Sequence, residues 1–262
     1  MIRWFLALCL VTHMASAETI ILASTTSVEN SGLLARILPE FTAGSGIAVR
    51  VIALGTGQAL AVAARGDADL VLVHDPEAEA AFIAQGHGVD RREIAWNDFI
   101  FVGPRADPAG LAGGHDAIAS LQAIAGAQAA FVSRGDGSGT DALEKRLWKQ
   151  AGINPRGQPW YREIGGGMGA ALNMAAATGS VTLTDRGTWL AFGNRGDLAE
   201  LVAGDPALIN RYTVIEVNPR THPTAKAEPA HRLALWLMSA VGQAAIGRYR
   251  VAGEQLFRPS VR

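Results

Sequence analysis

Cysteine is all but missing: Cys9 is the only one in 262 residues, and it falls in the apolar stretch at the start of the chain. A disulfide framework and a thiolate metal site are therefore excluded once that stretch is removed. A surplus of either charge is missing too. Lys plus Arg number 23 against 24 Asp plus Glu, a formal net charge of −1, so there is no polybasic surface of the kind that draws nucleic acid or anionic lipid. Any anion this chain handles must be met by local donors. Long apolar runs are absent as well. Residues 4–11 are apolar, but Thr12 and His13 break the run well short of the ~20 residues needed to span a bilayer. There is no internal repeat, no P-loop and no His-Glu-x-x-His, and His74, His87, His115, His222 and His231 have no metal-ligand spacing, so no metal and no cofactor is expected.

What is present is an ordinary globular composition, 49% apolar with 30 glycines, which excludes disordered, collagenous and coiled-coil chains. The first 17 residues read as a cleaved secretory leader: Arg3 gives the positive start, residues 4–11 the apolar core, and Ala15-Ser16-Ala17 the small-x-small cleavage pattern. Lipidation at Cys9 fits poorly, because it lies inside the apolar core after Leu8. The expected mature protein starts at Glu18, is exported, and depends on packing for its stability.

Short β-branched runs alternate with Ala- and Leu-rich stretches at helical spacing. Strands are expected over 19–23, 48–54, 69–73 and 99–104, with helices over 32–41, 58–65 and 77–85. A second series follows, with strands at 129–133, 160–164 and 181–184 and helices at 142–150 and 168–177. A strand over 212–217 returns the chain, and a helix over 230–241 closes it. Apolar strands separated by helices imply a mostly parallel sheet covered on both faces. The expected fold is α/β, two Rossmann-like lobes around a ligand cleft. Lobe 1 takes residues 18–104 plus 213–262 and lobe 2 residues 105–212, with hinges near Gly103-Pro104 and residues 210–212.

Ligands in open α/β sheets bind beyond the carboxyl ends of the strands, and here four strand ends open into helices through similar chemistry. They are Ser24-Thr25-Thr26-Ser27, Gly55-Thr56-Gly57-Gln58, the run from Ser133 and Arg134 through Gly135-Asp136-Gly137-Ser138-Gly139-Thr140, and Gly165-Gly166-Gly167-Met168-Gly169. Helix starts present unpaired N–H groups, Gly allows close approach, and Ser or Thr adds a hydroxyl donor. Singly, each reads as an N-cap or a turn. Together, and with one arginine, they describe a site for a small oxyanion.

Enzyme patterns fit less well. Ser138 is one place too late for a G-x-S-x-G elbow, and Leu60 stands where a dinucleotide fingerprint needs Gly or Ala. The run 165–170 does fit G-x-G-x-x-A, with Asp185 twenty residues on, but the strand before it carries Arg162 and Glu163 and is a poor central strand. Asp67 and Asp69 read as a turn.

Over nearly all of its expected mature length the chain resembles the periplasmic tungstate-binding proteins of the TupA type, a branch of the type II solute-binding proteins that serve ABC importers. The carrying segments are Ala23-Ser24-Thr25-Thr26-Ser27, Gly55-Thr56-Gly57-Gln58-Ala59-Leu60, Gly66-Asp67-Ala68-Asp69-Leu70-Val71-Leu72-Val73-His74, Trp96-Asn97-Asp98-Phe99, the Arg134 to Thr140 run, Gly167-Met168-Gly169 and Thr184-Asp185-Arg186-Gly187-Thr188. The resemblance implies the type II periplasmic binding protein fold and binding without chemistry: two lobes that close on tungstate and hand it to a membrane permease subunit; the exported chain is expected to be a monomer. Thr25, Thr26, Ser27, Thr56, Gly57, Arg134, Ser138, Thr140, Gly167 and Met168 are the expected ligand contacts. Two positions depart from the pattern, Ser24 where Thr is expected and Val181 where an aromatic is expected. Molybdate and phosphate are the alternatives. The Arg134 to Thr140 run also resembles that of periplasmic phosphate binders, in which Asp136 or Asp141 would accept the phosphate's proton or merely orient Arg134.

Overall fold

The computed structural model describes residues 18–260; the expected leader, and Cys9 with it, lies outside them. The chain runs β1 (Thr19–Thr25), α1 (Thr26–Asn30), α2 (Leu33–Ser45), β2 (Ala48–Leu54), α3 (Thr56–Ala64), β3 (Leu70–Val73), α4 (Pro76–Ala84) and the 17-residue β4 (Gly88–Pro104). It continues through α5 (Ala117–Ala127), β5 (Phe131–Ser133), α6 (Gly139–Gln150), β6 (Tyr161–Glu163), α7 (Met168–Thr178), β7 (Val181–Asp185), α8 (Arg186–Ala191) and β8 (Leu198–Val202). β9 (Ile209–Val217), α9 (Ala227–Met238) and α10 (Ala240–Arg248) follow. Among the described residues no helix is long and apolar enough to cross a membrane.

The sheet order is β2-β1-β3-β9-β4-β7-β5-β6. Pairing is parallel among β2, β1 and β3 and among β6, β5 and β7, whereas β9 and β4 run antiparallel to their neighbours. The expected mostly parallel pairing therefore appears within each end of the array, and the two long strands at its middle run antiparallel. Alternation shows that both faces are covered. Leu70 and Leu72 lie in a cluster with Ile20, Ile37 and Leu233, while Val71 and Val73 lie in another with Ala59 and Ile215. In the same way Phe99 and Phe101 pack with Phe131 and Trp148, and Ile100 and Val102 with Leu172 and Trp189.

β4 changes partner between Asp98, paired with β9, and Phe99, paired with β7. β9 is paired with β4 from Ile209 onward. The changeovers between the two halves thus fall at 98/99, within β4, and at 208/209, where a 3-10 turn over Pro206–Leu208 gives way to β9, not at the expected 104/105 and 212/213. Phe99-Ile100-Phe101-Val102 reads as a short strand ending in Gly-Pro, which hid the polar two-thirds of β4 before it. The expected helix over 32–41 is also corrected. The chain turns helical at Thr26, breaks at Gly32, whose φ of +76° suits glycine, and resumes as α2. β6 is an end strand with Arg162 and Glu163 exposed, which accounts for its charges.

Candidate anion-binding site

The carboxyl ends of β1, β2 and β3 meet those of β5, β6 and β7 across the changeover strands. Arg134, just past β5, is buried at 7% exposure. Its Nε and Nη2 donate to Asp136 Oδ2 at 3.1 and 2.5 Å, and Nη1 donates to Thr140 Oγ1 at 3.4 Å. The other Asp136 oxygen accepts from Ser138 N at 3.1 Å. Burial opposes charge on Asp136, but the hydrogen bonds from Ser138 and Arg134 prevail and hold its carboxyl below the ordinary value. Asp141 accepts from Gly135 N, Gly137 N and Lys145 Nζ at 3.1, 3.0 and 2.7 Å. The loop folds around it because Gly135 and Gly137 take φ of +61° and +70°, which side chains rarely adopt. Both carboxylates are therefore committed to the loop.

On the facing side Thr25 caps α1, its Oγ1 accepting from Val28 N at 3.3 Å and lying 3.0 Å from Ser27 Oγ. Ser27 Oγ is 3.0 Å from Nε2 of His74, the residue after β3. The two sides touch here. A Cβ placed on Gly139, the first residue of α6, would lie 3.1 Å from His74 Cε1 and 3.5 Å from Thr56 Oγ1. Beside this contact Arg146 of α6 faces Asp75 and Glu77 at 3.6 and 3.8 Å, over a cavity of about 290 Å³ lined by His74, Gly139, Arg146 and Asn210.

Helices α3 and α7 start behind Gly55 and Gly167, which have no side chain to cap them, so their first-turn N–H groups stay available to an anion. Gly166 N donates to Arg134 O at 3.1 Å and ties the α7 entrance to the arginine. α1, by contrast, has only five residues. Its contribution is the hydroxyl groups of Thr25 and Ser27 and not, as expected of all four strand ends, a helix start.

Thr25, Ser27, Thr56, Arg134 and Thr140 thus form one largely buried group. Ser138 is spent as the cap of α6, its Oγ accepting from Asp141 N at 3.3 Å. The Met168 side chain packs among Ile100, Val132 and Leu172, which leaves only its backbone to face a ligand. Thr26, Gly57 and Gly167 are exposed, and Ser24 Oγ donates to Leu72 O at 2.9 Å, inside the sheet. His74 is the residue that sequence reasoning missed, having weighed it only as a metal ligand. Its place directly after four buried strand residues was the available signal.

A serine bonded to a histidine also begins a nucleophilic pair, but no carboxylate orients this one. Asp185 gives its oxygens to Thr188 N and Oγ1 at 2.8 and 2.7 Å, and His74 Nδ1 has no hydrogen-bond partner among the described residues. A two-lobed fold with a buried group rich in donors between its strand ends defines a solute-binding protein.

A family model described as a PBP superfamily domain matches residues 12–241. The tungstate-binding protein TupA of Peptoclostridium acidaminophilum is 43% identical over 246 residues, covering 92% of this chain and 86% of that one. Two solved structures agree. A TupA tungstate-binding protein from Desulfovibrio alaskensis G20 is 42% identical with a TM-score of 0.87, covering 94% of this chain and 100% of that one. A tungstate ABC transporter structure from Geobacter sulfurreducens is 43% identical with a TM-score of 0.80, covering 88% and 99%. The chain belongs to the TupA family of the PBP superfamily.

Proposed function

We propose that this protein is the periplasmic solute-binding component of an ABC importer, capturing tungstate between its lobes and passing it to a membrane permease subunit. The lobes are read as 18–98 with 209–260 and 99–208, closing about the two changeovers. The observation that carries the choice of ligand is the commitment of Asp136 and Asp141 to their own loop. Near neutral pH phosphate carries a proton that needs an acceptor, whereas tungstate, molybdate and sulfate need donors only. Arg134, the hydroxyls of Thr25, Ser27, Thr56 and Thr140, and the starts of α3 and α7 are donors. A protonated oxygen facing them would cost roughly 1–3 kcal/mol. Sulfate has shorter bonds and leaves hydrogen bonds stretched in a pocket built for a larger anion. Tungstate is placed before molybdate on the strength of the relatives named above.

Calorimetric titration of the purified mature protein with tungstate, molybdate, sulfate and phosphate tests this reading. Tight binding of tungstate, with molybdate next and the other two far weaker, is the expected order. Phosphate binding as tightly as tungstate would instead make it a phosphate carrier.

A further inference from the structure

His74 is buried at 7% exposure at the edge of the cavity of about 290 Å³, with neighbours packed against several parts of its ring. Ser27 Oγ of α1 lies at Nε2, Gly139 of α6 lies against Cε1, and the Tyr212 ring of β9 packs at 5.2 Å between centroids. Nδ1 and Asn210 Oδ1, both buried, have no well-formed hydrogen bond among the described residues, yet Asn210 is near enough to favour a protonated ring. The charged groups facing the ring are Asp185 at the end of β7, Asp75 beside it in the chain and Arg134 past β5. Burial is the largest influence and lowers the pKa of the ring below the ordinary 6.5 against the pull of Asp185 and Asp75, so in this closed arrangement without an anion it is neutral at pH 7.

The charge balance changes when a doubly negative anion enters. Arg134 is cancelled by Asp136 and Asp75 by Arg146, and Asp185 adds a further buried negative charge. The starts of α3, α6 and α7 return about half a charge each, which leaves the loaded pocket roughly one and a half charges too negative.

Resting on the oxyanion reading above, we propose that His74 supplies the missing charge: binding of the doubly charged oxyanion draws one proton from the buffer onto its ring. In the neutral ring with Nδ1–H toward Asn210, Nε2 accepts the Ser27 hydroxyl. The added proton sits on Nε2, which then donates to Ser27 Oγ, and the Ser27 hydroxyl hydrogen is released to point at the anion. His74 is thus a positioning and charge-balancing residue acting through Ser27, and anion capture is linked to proton uptake.

The test is calorimetry of sodium tungstate binding at pH 7.5 in two buffers of different ionisation enthalpy, with the association constant followed from pH 8.5 to 7. The parent protein is expected to take up roughly 0.3–1 proton per anion, with affinity rising up to about tenfold for each unit that pH falls. His74→Gln keeps an N–H for Ser27 but cannot titrate, and its proton uptake should vanish. Ring nitrogen shifts of His74 in the parent, with and without tungstate, read the same event without a variant and should change from neutral imidazole to imidazolium. Tungstate binding by the parent without proton uptake, uptake unchanged in His74→Gln, or a neutral loaded ring would each overturn the inference while leaving the carrier reading intact. Failure of the parent to bind tungstate would remove both.

Discussion

Arg134 and Glu144 are buried charged residues with opposite uses. Arg134 keeps a guanidinium at the cleft, and loss of it leaves a buried dianion uncompensated. Arg134→Ala is expected to weaken tungstate binding by at least ~2 kcal/mol, and Thr140→Ala by less because it removes one neutral donor; titration of both variants checks the order. Glu144 is on the buried side of α6, where its Oε1 accepts from Trp148 Nε1 and Tyr161 Oη at 3.1 and 2.7 Å. Burial pushes its carboxyl up to about 7 despite those bonds. The folded protein therefore holds a proton that the unfolded chain releases near 4.5. Stability falls as pH rises between those values and is flat above them. Glu144→Gln keeps the acceptor without the charge, so it should match the parent near pH 4.5 and exceed it by up to ~3 kcal/mol at pH 8. Denaturant melts at the two pH values measure the gap, and an equal gap at both would refute it. The sequence displayed Arg134 plainly, as a lone cation among glycines. It did not display Glu144 or His74, because a period of 3.6 or 2 does not tell which polar residue a neighbouring element will cover.

At the scale of elements, the strand-end loops were legible because Gly, Ser and Thr at a helix start have few other uses. β4 was not, since its first ten residues carry Asp90, Arg91, Arg92 and Glu93 and resemble a surface loop. Their charges are instead paired sideways, Arg91 with Glu79 at 2.7 Å and Arg92 with Glu216 at 2.5 Å. The start of α6 shows how an element serves closure. Gly139 lets His74 and Thr56 come against its backbone, and Gly139→Ala puts a methyl there while leaving the helix a good former at that position. Overpacking of that contact costs about 1–3 kcal/mol, so tungstate should bind roughly ten- to a hundredfold more weakly with the melting temperature of the empty protein unchanged. Binding as tight as the parent's would show that the two sides do not meet at this contact when loaded.

The whole molecule is two cores joined by β4 and β9. Arg186 of α8 grips the junction, donating to both oxygens of Asp98 at 2.7 Å and to Glu200 at 2.8 Å. The two-core plan was readable from the repeat of strand and helix, but the joining points were not. In β4 the changeover is a change of hydrogen-bond partner within one continuous strand, and composition carries no mark of it. The described residues are in a closed arrangement, with Arg134, Thr140, Thr56 and Thr25 all under 8% exposed. An anion enters such a group only if the lobes part, so tungstate is expected to reduce the radius of gyration in solution scattering; an unchanged radius would mean that the lobes do not move.

The central claim, that a doubly charged oxyanion is held between the lobes by donors alone, is tested most directly by crystals of the protein grown with tungstate and measured at the tungsten absorption edge. One anomalous peak is expected, enclosed by Arg134, Thr140, Ser27 and the first residues of α3 and α7, with no carboxylate oxygen touching the anion. A peak elsewhere, or one in contact with Asp136 or Asp141, would contradict it.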